Sequence, residues 1–487
     1  MSQATRSVVQ HFRVSAALWI PTLWFFFVAS RPPTLWLRFQ MIGTAAEDQM
    51  EGSPVDRLIL TLLMVCAIAV LFSRGEKVTA LLRNNLPILV FLTYCGVSIV
   101  WSDFPDIAFK RWFRGFGDVA MVMVVLTEAT PMVAFKSLLA RMGFIILPLS
   151  ILSDIGRLAA GLRYHNDSGI AYYNGVTTNK NLYGVIAMIL GIAAVWRFLS
   201  ARKIEDRRRR RHEKMIYGGL TLLAMFCLWI ANSGTSGGCF VLGSLILWLA
   251  SRWSRMKRKR LHVVVAALIF LTVYVALLNP HAGVVSAMGK DPTLTGRTDV
   301  WKTVIPMNPN PAVGAGFESF WLGQRLEKMW EIFPWKPNEA HNGYIEVYLN
   351  LGWTGLFLLG VIITSAYAKV ARGLHEDPIA TLRLAFLVVA LVYSLTEAGF
   401  RIFTPTWFMF LLTVMSVNPK VPSKRLASRR VGSVQSMTTD SRLQTADLGY
   451  IAKDSAGSSM KLLSLDECDL DVFRRENMSE RTWGKPN

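Results

Sequence analysis

The chain has 487 residues, of which 52% are hydrophobic and only 18% are charged. This composition is too apolar and too poor in charge for an ordinary soluble protein. The net charge of +20 does not indicate nucleic-acid binding, because the basic residues cluster between apolar runs instead of covering a water-facing surface. The five cysteines stand singly, without CxxC spacing, and indicate neither a disulfide framework nor a zinc site.

Twelve apolar stretches of about 15 to 20 residues are predicted to be transmembrane helices. They lie at about 14–30, 58–73, 86–101, 116–129, 138–153, 182–199, 215–231, 238–252, 261–278, 350–368, 380–397 and 402–417. The runs are continuous rather than alternating, so they predict helices and not the strands of a barrel. The first run follows Arg6 and Arg13 but has no clear cleavage site, and it is interpreted as an uncleaved helix. The expected fold is an all-α, polytopic membrane protein.

Basic loops orient the predicted spans. The two strongest clusters, at 202–214 and 252–260, lie two spans apart and therefore on one side, which is expected to be the cytoplasm. An even number of spans places both termini on that side as well. Residues 1–417 are predicted to form the transmembrane domain. Residues 418–487 are polar, rich in serine and without apolar periodicity, which predicts a mostly disordered cytoplasmic tail.

One loop on the opposite face, 279–349 between the ninth and tenth spans, is too long for a plain connection. Inside it, a helix is predicted to begin at a Thr295 cap and to stop at Pro306. Arg297 then lies near a helix N-terminus, where free N–H groups and a guanidinium favour a phosphate. The alternative is a structural arginine that pairs with a carboxylate such as Asp299 or Glu318.

The same loop contains a second predicted helix start, at 337–344, with Asn338 as its cap. His341 would lie in the first turn, where the helix dipole lowers its pKa and keeps the imidazole neutral. A neutral imidazole can act as a general base. The alternative is an ordinary polar residue at a membrane interface. Zinc is not expected, because no second His or Cys stands at ligand spacing.

Other outer-face segments are polar but less specific. The Gly-x-Gly at 314–316 follows no predicted strand of a βαβ unit, and a turn that brings the backbone close to a lipid headgroup is the more modest interpretation. The segments 175–181 and 232–238 are hydroxyl-rich or amide-rich turns that either cap helices or bind a ligand. Outer-face cations, among them Arg163 and Arg111, fit an anionic lipid-linked ligand or phospholipid headgroups.

The order of these elements resembles the O-antigen ligase/polymerase superfamily. The resemblance is carried by residues 177–181 (TTNKN), 233–238, 296–301 (GRTDVW), 311–320, 341–344 (HNGY) and 351–355 (LGWTG). Within this superfamily the chain is most similar to the ExoQ-type exopolysaccharide polymerization proteins, through 30–32 (SRP) and 101–103 (WSD). The resemblance covers about residues 14–417.

The resemblance implies a glycosyltransferase of GT-C-like architecture in the bacterial inner membrane. It would transfer an oligosaccharide from a polyprenyl-diphosphate-linked donor to a glycan or lipid-linked acceptor on the periplasmic side, without a metal or another cofactor. Arg297 matches the arginine that engages the diphosphate, and His341 matches the histidine that acts as base or acceptor positioner. The substrate-binding candidates are Lys180, Arg163, Asn179, Asn181, Ser236, Asn342 and Tyr344.

Ser236 departs from the family pattern, because a basic residue is usual at this position in the ligases. Lys180 or Arg163 is expected to supply that charge instead. Two other functions stay open: a flippase or transporter of the same lipid-linked substrate, and a non-catalytic scaffold that joins other polysaccharide export proteins. Membrane lipids are expected partners of any of the three.

Overall fold

Helices form nearly all the regular structure in the computed structural model of the protein, which describes residues 14–37, 53–159, 164–165, 171–252, 263, 266–267, 296–374, 377 and 379–416. The helices are α1 (Trp19–Val28), α2 (Pro33–Trp36), α3 (Pro54–Ser73), α4 (Gly75–Asn84), α5 (Leu86–Val97), α6 (Pro105–Leu126), α7 (Pro131–Ala159), α8 (Lys180–Ser200), α9 (Arg207–Ala231), α10 (Gly234–Arg252), α11 (Arg297–Val304), α12 (Gly323–Ile332), α13 (Gly343–Gly373), α14 (Ala380–Tyr393) and α15 (Pro405–Val414). Two residue pairs, Tyr164–His165 and Ala171–Tyr172, form an antiparallel hairpin, β1 and β2.

The helices agree with the apolar pattern of the sequence. Eleven of the twelve predicted spans overlap a described helix, and most of the ninth, at about 261–278, lies outside the described residues. In the described ranges, six helices are long and apolar enough to cross a membrane: α3, α7, α8, α9, α10 and α13. Helices α4 and α5 are bent by 87° relative to each other, and together they form a seventh candidate span. The prediction of a multi-pass helical membrane protein is confirmed at this level.

Two central helices are shorter than a membrane span. α14 has 14 residues and α15 has 10, which correspond to about 21 Å and 15 Å, less than the roughly 30 Å of a hydrocarbon core. Both are almost entirely buried, and α14 packs against α10 and α15. The non-helical segment 394–404 between them is therefore enclosed by protein, which is the condition under which irregular backbone is tolerated at membrane depth.

The described part of the large loop, 296–349, folds over an apolar core of its own. That core consists of Val300, Val304, Ala315, Phe320, Trp321, Leu326, Met329, Ala340 and Leu349. As predicted, a helix begins beside Arg297; α11 ends at Val304, and Pro306 follows in a 3-10 turn. The proposed cap, Thr295, lies outside the described residues. The indole of Trp301 donates to the carbonyl of Ala340 at 2.7 Å, which fixes α11 against the segment that carries His341.

Two glycines allow the backbone of this loop to pack directly against the backbone of α13. Gly352 interrupts α13 with φ +64°, and a Cβ there would lie 2.3 Å from the backbone of Ala312. Gly314 has φ +71°, and a Cβ would lie 2.4 Å from the backbone of Asn350. Trp353 N–H donates to the carbonyl of Pro311 at 2.9 Å across the same contact. The Gly-x-Gly segment thus approaches other parts of the protein, which accounts for its glycines, and its contact with a lipid headgroup stays a prediction.

Candidate functional site

Glu397 joins the two residues singled out in the large loop. The Arg297 guanidinium donates through Nη2 to Glu397 Oε1 at 2.8 Å, and its Nη1 donates to the carbonyl of Thr396. The His341 imidazole Nδ1 lies 3.3 Å from the other oxygen, Oε2. Glu397 is 7% exposed, so this carboxylate is shared by two cationic side chains in a largely desolvated position. Arg297 has the structural partner that was considered, but the partner is neither Asp299 nor Glu318.

His341 differs from the sequence prediction in position and in charge. Helix α13 begins at Gly343 with Asn342 as cap, so His341 precedes the helix and has φ +49°. Burial alone lowers the pKa of His341, but the hydrogen bonds and charges of Glu339 and Glu397 outweigh burial and raise the pKa to about 9. The imidazole is therefore protonated near pH 7, and the expectation of a neutral imidazole in a helix capped by Asn338 was wrong.

The charged groups continue beyond His341. Glu339 Oε1 lies 2.9 Å from His341 Nδ1, and Arg401 contacts both Glu339 Oε2 at 3.5 Å and Glu318 Oε2 at 3.2 Å. Burial raises the pKa of Glu339, but His341, Arg401 and Arg297 outweigh it and lower the pKa to about 2. Burial likewise lowers the pKa of Arg401, and the surrounding carboxylates, Glu318 first, raise it above the ordinary value. Three positive and three negative groups thus alternate along one chain of contacts.

Elements that are distant in the sequence meet at the segment 394–397, just after α14. Gly343 N–H donates to the carbonyl of Ser394 at 2.7 Å, and the Asn342 amide donates to the carbonyl of Leu395 at 2.9 Å. Asn342 also caps α13, since its Oδ1 accepts from the N–H of Tyr344 at 3.0 Å. The Tyr344 hydroxyl donates to the carbonyl of Leu391 at 3.1 Å. These contacts give Asn342 and Tyr344 structural partners beside the site, while their substrate contacts stay a prediction.

One of the two turns predicted for the outer face contacts this segment. The predicted turn 233–238 is in fact the first turn of α10, which begins at Gly234. There Thr235 Oγ1 lies 3.3 Å from Thr396 Oγ1, while Ser236 is buried and accepts from Ser233 Oγ at 3.0 Å. Thr235, and not Ser236, therefore contacts the segment that holds Glu397.

Helix α8 opens beside that turn. A Cβ on Gly184 would lie 2.6 Å from Cβ of Ser233, so the first turns of α8 and α10 pack closely. Asn179 caps α8 by accepting from the Leu182 N–H at 2.9 Å, and Lys180 and Asn181 are its first two residues, both half-buried. Arg163 lies outside the described residues.

Four of these groups were missed by sequence reasoning: Glu397, Glu339, Arg401 and Thr235. A signal for two of them existed. Glu397 and Arg401 are isolated ionisable residues beside apolar runs, and an ionisable residue at such a place indicates function by default. Trp335 is a further missed neighbour, because its ring lies 5.9 Å from that of His341 and it is 46% exposed.

The carboxylates and the imidazole are close enough to ligate a metal ion. One ligand atom from each of Glu339, His341 and Glu397 lies within 4.8 Å of the others. However, Arg297 and Arg401 each engage one of these carboxylates, and His341 carries a proton. Positive groups at this distance oppose a divalent cation and suit an anion.

Residues 220–360 match the family model Wzy_C, described as O-antigen ligase. The chain is also 26% identical over 376 residues to the exopolysaccharide production protein ExoQ of Rhizobium meliloti (strain 1021), across 72% of this chain and 81% of the relative. The resemblance predicted from the motifs is confirmed. The part similar to O-antigen ligase contains Thr235, Arg297 and His341, whereas Glu397 and Arg401 follow its end.

Proposed function

We propose that this protein is a membrane glycosyltransferase that polymerizes or ligates polyprenyl-diphosphate-linked oligosaccharides on the periplasmic side of the inner membrane. The supporting observation is the contact of Arg297 and His341 with one carboxylate, Glu397, in the non-helical segment that follows a short buried helix. The similarity to O-antigen ligase and to ExoQ supports the same class of reaction. Residues 1–417, with twelve spans in a GT-C-like arrangement, form its transmembrane domain, and 418–487 form a cytoplasmic tail.

In the resting protein Glu397 is the internal anion between two cations. An arriving diphosphate takes its place, because a guanidinium and an imidazolium bind phosphate oxygens as well as they bind a carboxylate. The ligases usually carry a basic residue at the position of Ser236. Here His341 supplies that second positive charge instead, with Lys180 or Arg163 as additional contacts. Fixed positive charge at this position stabilises the negative charge that develops on the leaving group.

The transfer itself exchanges one bond for another. The acceptor hydroxyl oxygen attacks the anomeric carbon of the donor sugar, and the bond from that carbon to the diphosphate oxygen breaks. The polyprenyl diphosphate leaves with the electron pair, and the hydroxyl proton passes to the carboxylate of Glu397, which the diphosphate has released. The exposed indole of Trp335 offers an apolar face for a sugar ring beside His341. This scheme requires no metal.

The direct test incubates the purified protein in detergent, with EDTA present, with its lipid-linked repeat unit and separates the products on a gel. A ladder identifies a polymerase and one transferred product a ligase. No product in detergent, together with redistribution of the substrate across the bilayer when the same protein is reconstituted in vesicles, would replace the proposal with a transporter.

Three variants examine the residues: Arg297→Gln, Glu397→Gln and His341→Asn. The last tolerates the positive φ at this position, because asparagine adopts the left-handed region readily. Each is expected to lower the rate about 10²- to 10³-fold. Matched controls are Lys302→Gln on the same helix as Arg297, 79% exposed, and His212→Asn, also exposed. Full activity in the three variants would refute their roles.

A further inference from the structure

A basic cleft lies at the start of α9, at the end of the membrane span. It is a wide, open cleft of about 440 Å³, lined by Arg207, Arg210, Arg211, Lys214, Phe198 and Met215. The four cations belong to α9, and Phe198 comes from the end of the neighbouring helix α8. The cleft is therefore cationic along one wall and apolar along the other.

The helix repeat explains why only some basic residues line the cleft. Arg207, Arg210, Arg211 and Lys214 stand at positions i, i+3, i+4 and i+7, which share one face of a helix. Like charges at this spacing repel each other, and the positive end of the helix dipole lies at the same place. Without an anion, the arrangement is electrostatically unfavourable.

The acidic residues of this segment do not neutralise it. The Asp206 carboxylate caps α9 by accepting from the Arg208 N–H at 2.9 Å, and Glu213 pairs with Arg197 at 2.9 Å. Glu205 is exposed. In the ranges that the structure describes, no ion pair joins a cation of the cleft to a carboxylate.

The position of the cleft along α9 identifies the class of anion. The helix is basic up to Lys214 and apolar from Met215 onward, so the cleft lies where the span leaves the hydrocarbon and lipid phosphates begin. Met215 is 59% exposed, which leaves an apolar group available beside the cations. We propose that this cleft binds the headgroup of an anionic phospholipid, with its phosphate on the guanidinium groups and its acyl chains against Phe198 and Met215.

The test measures lipid binding by the full-length, delipidated protein in detergent, using native mass spectrometry with phosphatidylglycerol and phosphatidylcholine. The cleft variant is Arg207→Gln, Arg210→Gln, Arg211→Gln and Lys214→Gln combined. Its matched control is Arg202→Gln, Lys203→Gln, Arg208→Gln and Arg209→Gln, which removes the same charge from exposed residues that do not line the cleft. We expect the wild type to prefer phosphatidylglycerol, the cleft variant to lose about tenfold or more in affinity, and the control to lose much less.

Equal losses in the two variants would overturn the proposal, since they would show diffuse attraction by a charged surface. Competition by inorganic phosphate or glycerol phosphate at the concentration of the lipid would also overturn it, because a soluble anion would then be the ligand. Where the fourfold variant does not fold, the pair Arg207→Gln and Arg211→Gln replaces it. The readout is lipid binding and not glycan transfer, so this proposal and the proposed function fail separately.

Discussion

Glu397 holds Arg297 and His341 in one arrangement because each of its oxygens meets a different cation. Removing this carboxylate alone would leave a guanidinium and an imidazolium close together in a poorly solvated place, which costs several kcal/mol by the usual penalty for an unpaired buried charge. The geometry of the unliganded site thus depends on an anion, which is the place that the proposed function gives to the diphosphate.

The charge of His341 predicts how activity depends on pH. If the imidazolium binds the diphosphate, the initial rate falls as pH rises through about 9, where His341 loses its proton. Glu339→Gln removes one of the two carboxylates that raise this pKa, so the fall is expected to begin at lower pH in that variant. The measurement is the rate of glycan transfer between pH 6 and 10. A rate that rises to a plateau on the alkaline side would instead show a neutral histidine acting as base.

The stability of the folded protein follows the same titration. The folded-state pKa of His341 is raised above its ordinary value of 6.5, so the histidine stabilises the fold fully below about pH 6.5 and loses this contribution as pH rises through about 9. The measurement is the melting temperature in detergent across this pH range, where His341→Asn should remove part of the alkaline loss. Lys302→Gln serves as control, because Lys302 pairs only with Asp299 at 3.5 Å among the described residues and contacts neither His341 nor its carboxylates.

At the scale of elements, two of the glycines in α13 differ in whether a side chain would fit at their position. Gly352 has φ +64° and would place a Cβ 2.3 Å from the backbone of Ala312, whereas a Cβ on Gly360 meets nothing within 4 Å. Gly352→Ala is expected to lower the melting temperature in detergent by several degrees and to expose the loop to limited proteolysis, because backbone cannot yield as a flexible side chain does. Gly360→Ala is expected to be neutral or to stabilise the helix by up to about 1 kcal/mol. Equal melting temperatures would contradict this account of the docking.

The elements themselves were largely predictable, and their ends were not. Continuous apolar runs identified eleven described helices, because a membrane span needs apolar side chains at almost every position. The run at 380–397 was predicted as one helix, yet α14 ends at Tyr393 and the last four residues form the non-helical segment that carries Glu397. Apolar neighbours on both sides concealed this end, since hydropathy averages over a window and does not detect a backbone change.

At the scale of the molecule, the amino-acid composition was sufficient to predict the fold class. The order of the motifs was sufficient to predict the family resemblance. The site was not predictable in the same way. Arg297 and Glu397 are separated by 100 residues, and no local pattern pairs an arginine in a long loop with a carboxylate after a distant helix. The Asn179 cap is local and could be anticipated, whereas an ion pair depends on how the helices pack.

The position of the site relative to the membrane gives the last prediction. The proposed chemistry requires Arg297 and His341 on the periplasmic side, while the basic start of α9 is expected in the cytoplasm because positively charged segments are retained there. Two single-cysteine substitutions report on the two places. Lys302→Cys lies about one helix turn beyond Arg297 and is exposed, and Arg208→Cys marks the start of α9.

Each substitution is placed in a chain that also carries Cys66→Ser and Cys468→Ser, because the other three cysteines are buried. In cells with a permeabilised outer membrane, an impermeant maleimide should label the Lys302→Cys chain at once. The Arg208→Cys chain should be labelled only after the inner membrane is opened. Labelling of the Lys302→Cys chain only after the inner membrane is opened would place the site on the cytoplasmic side and would exclude a periplasmic transferase.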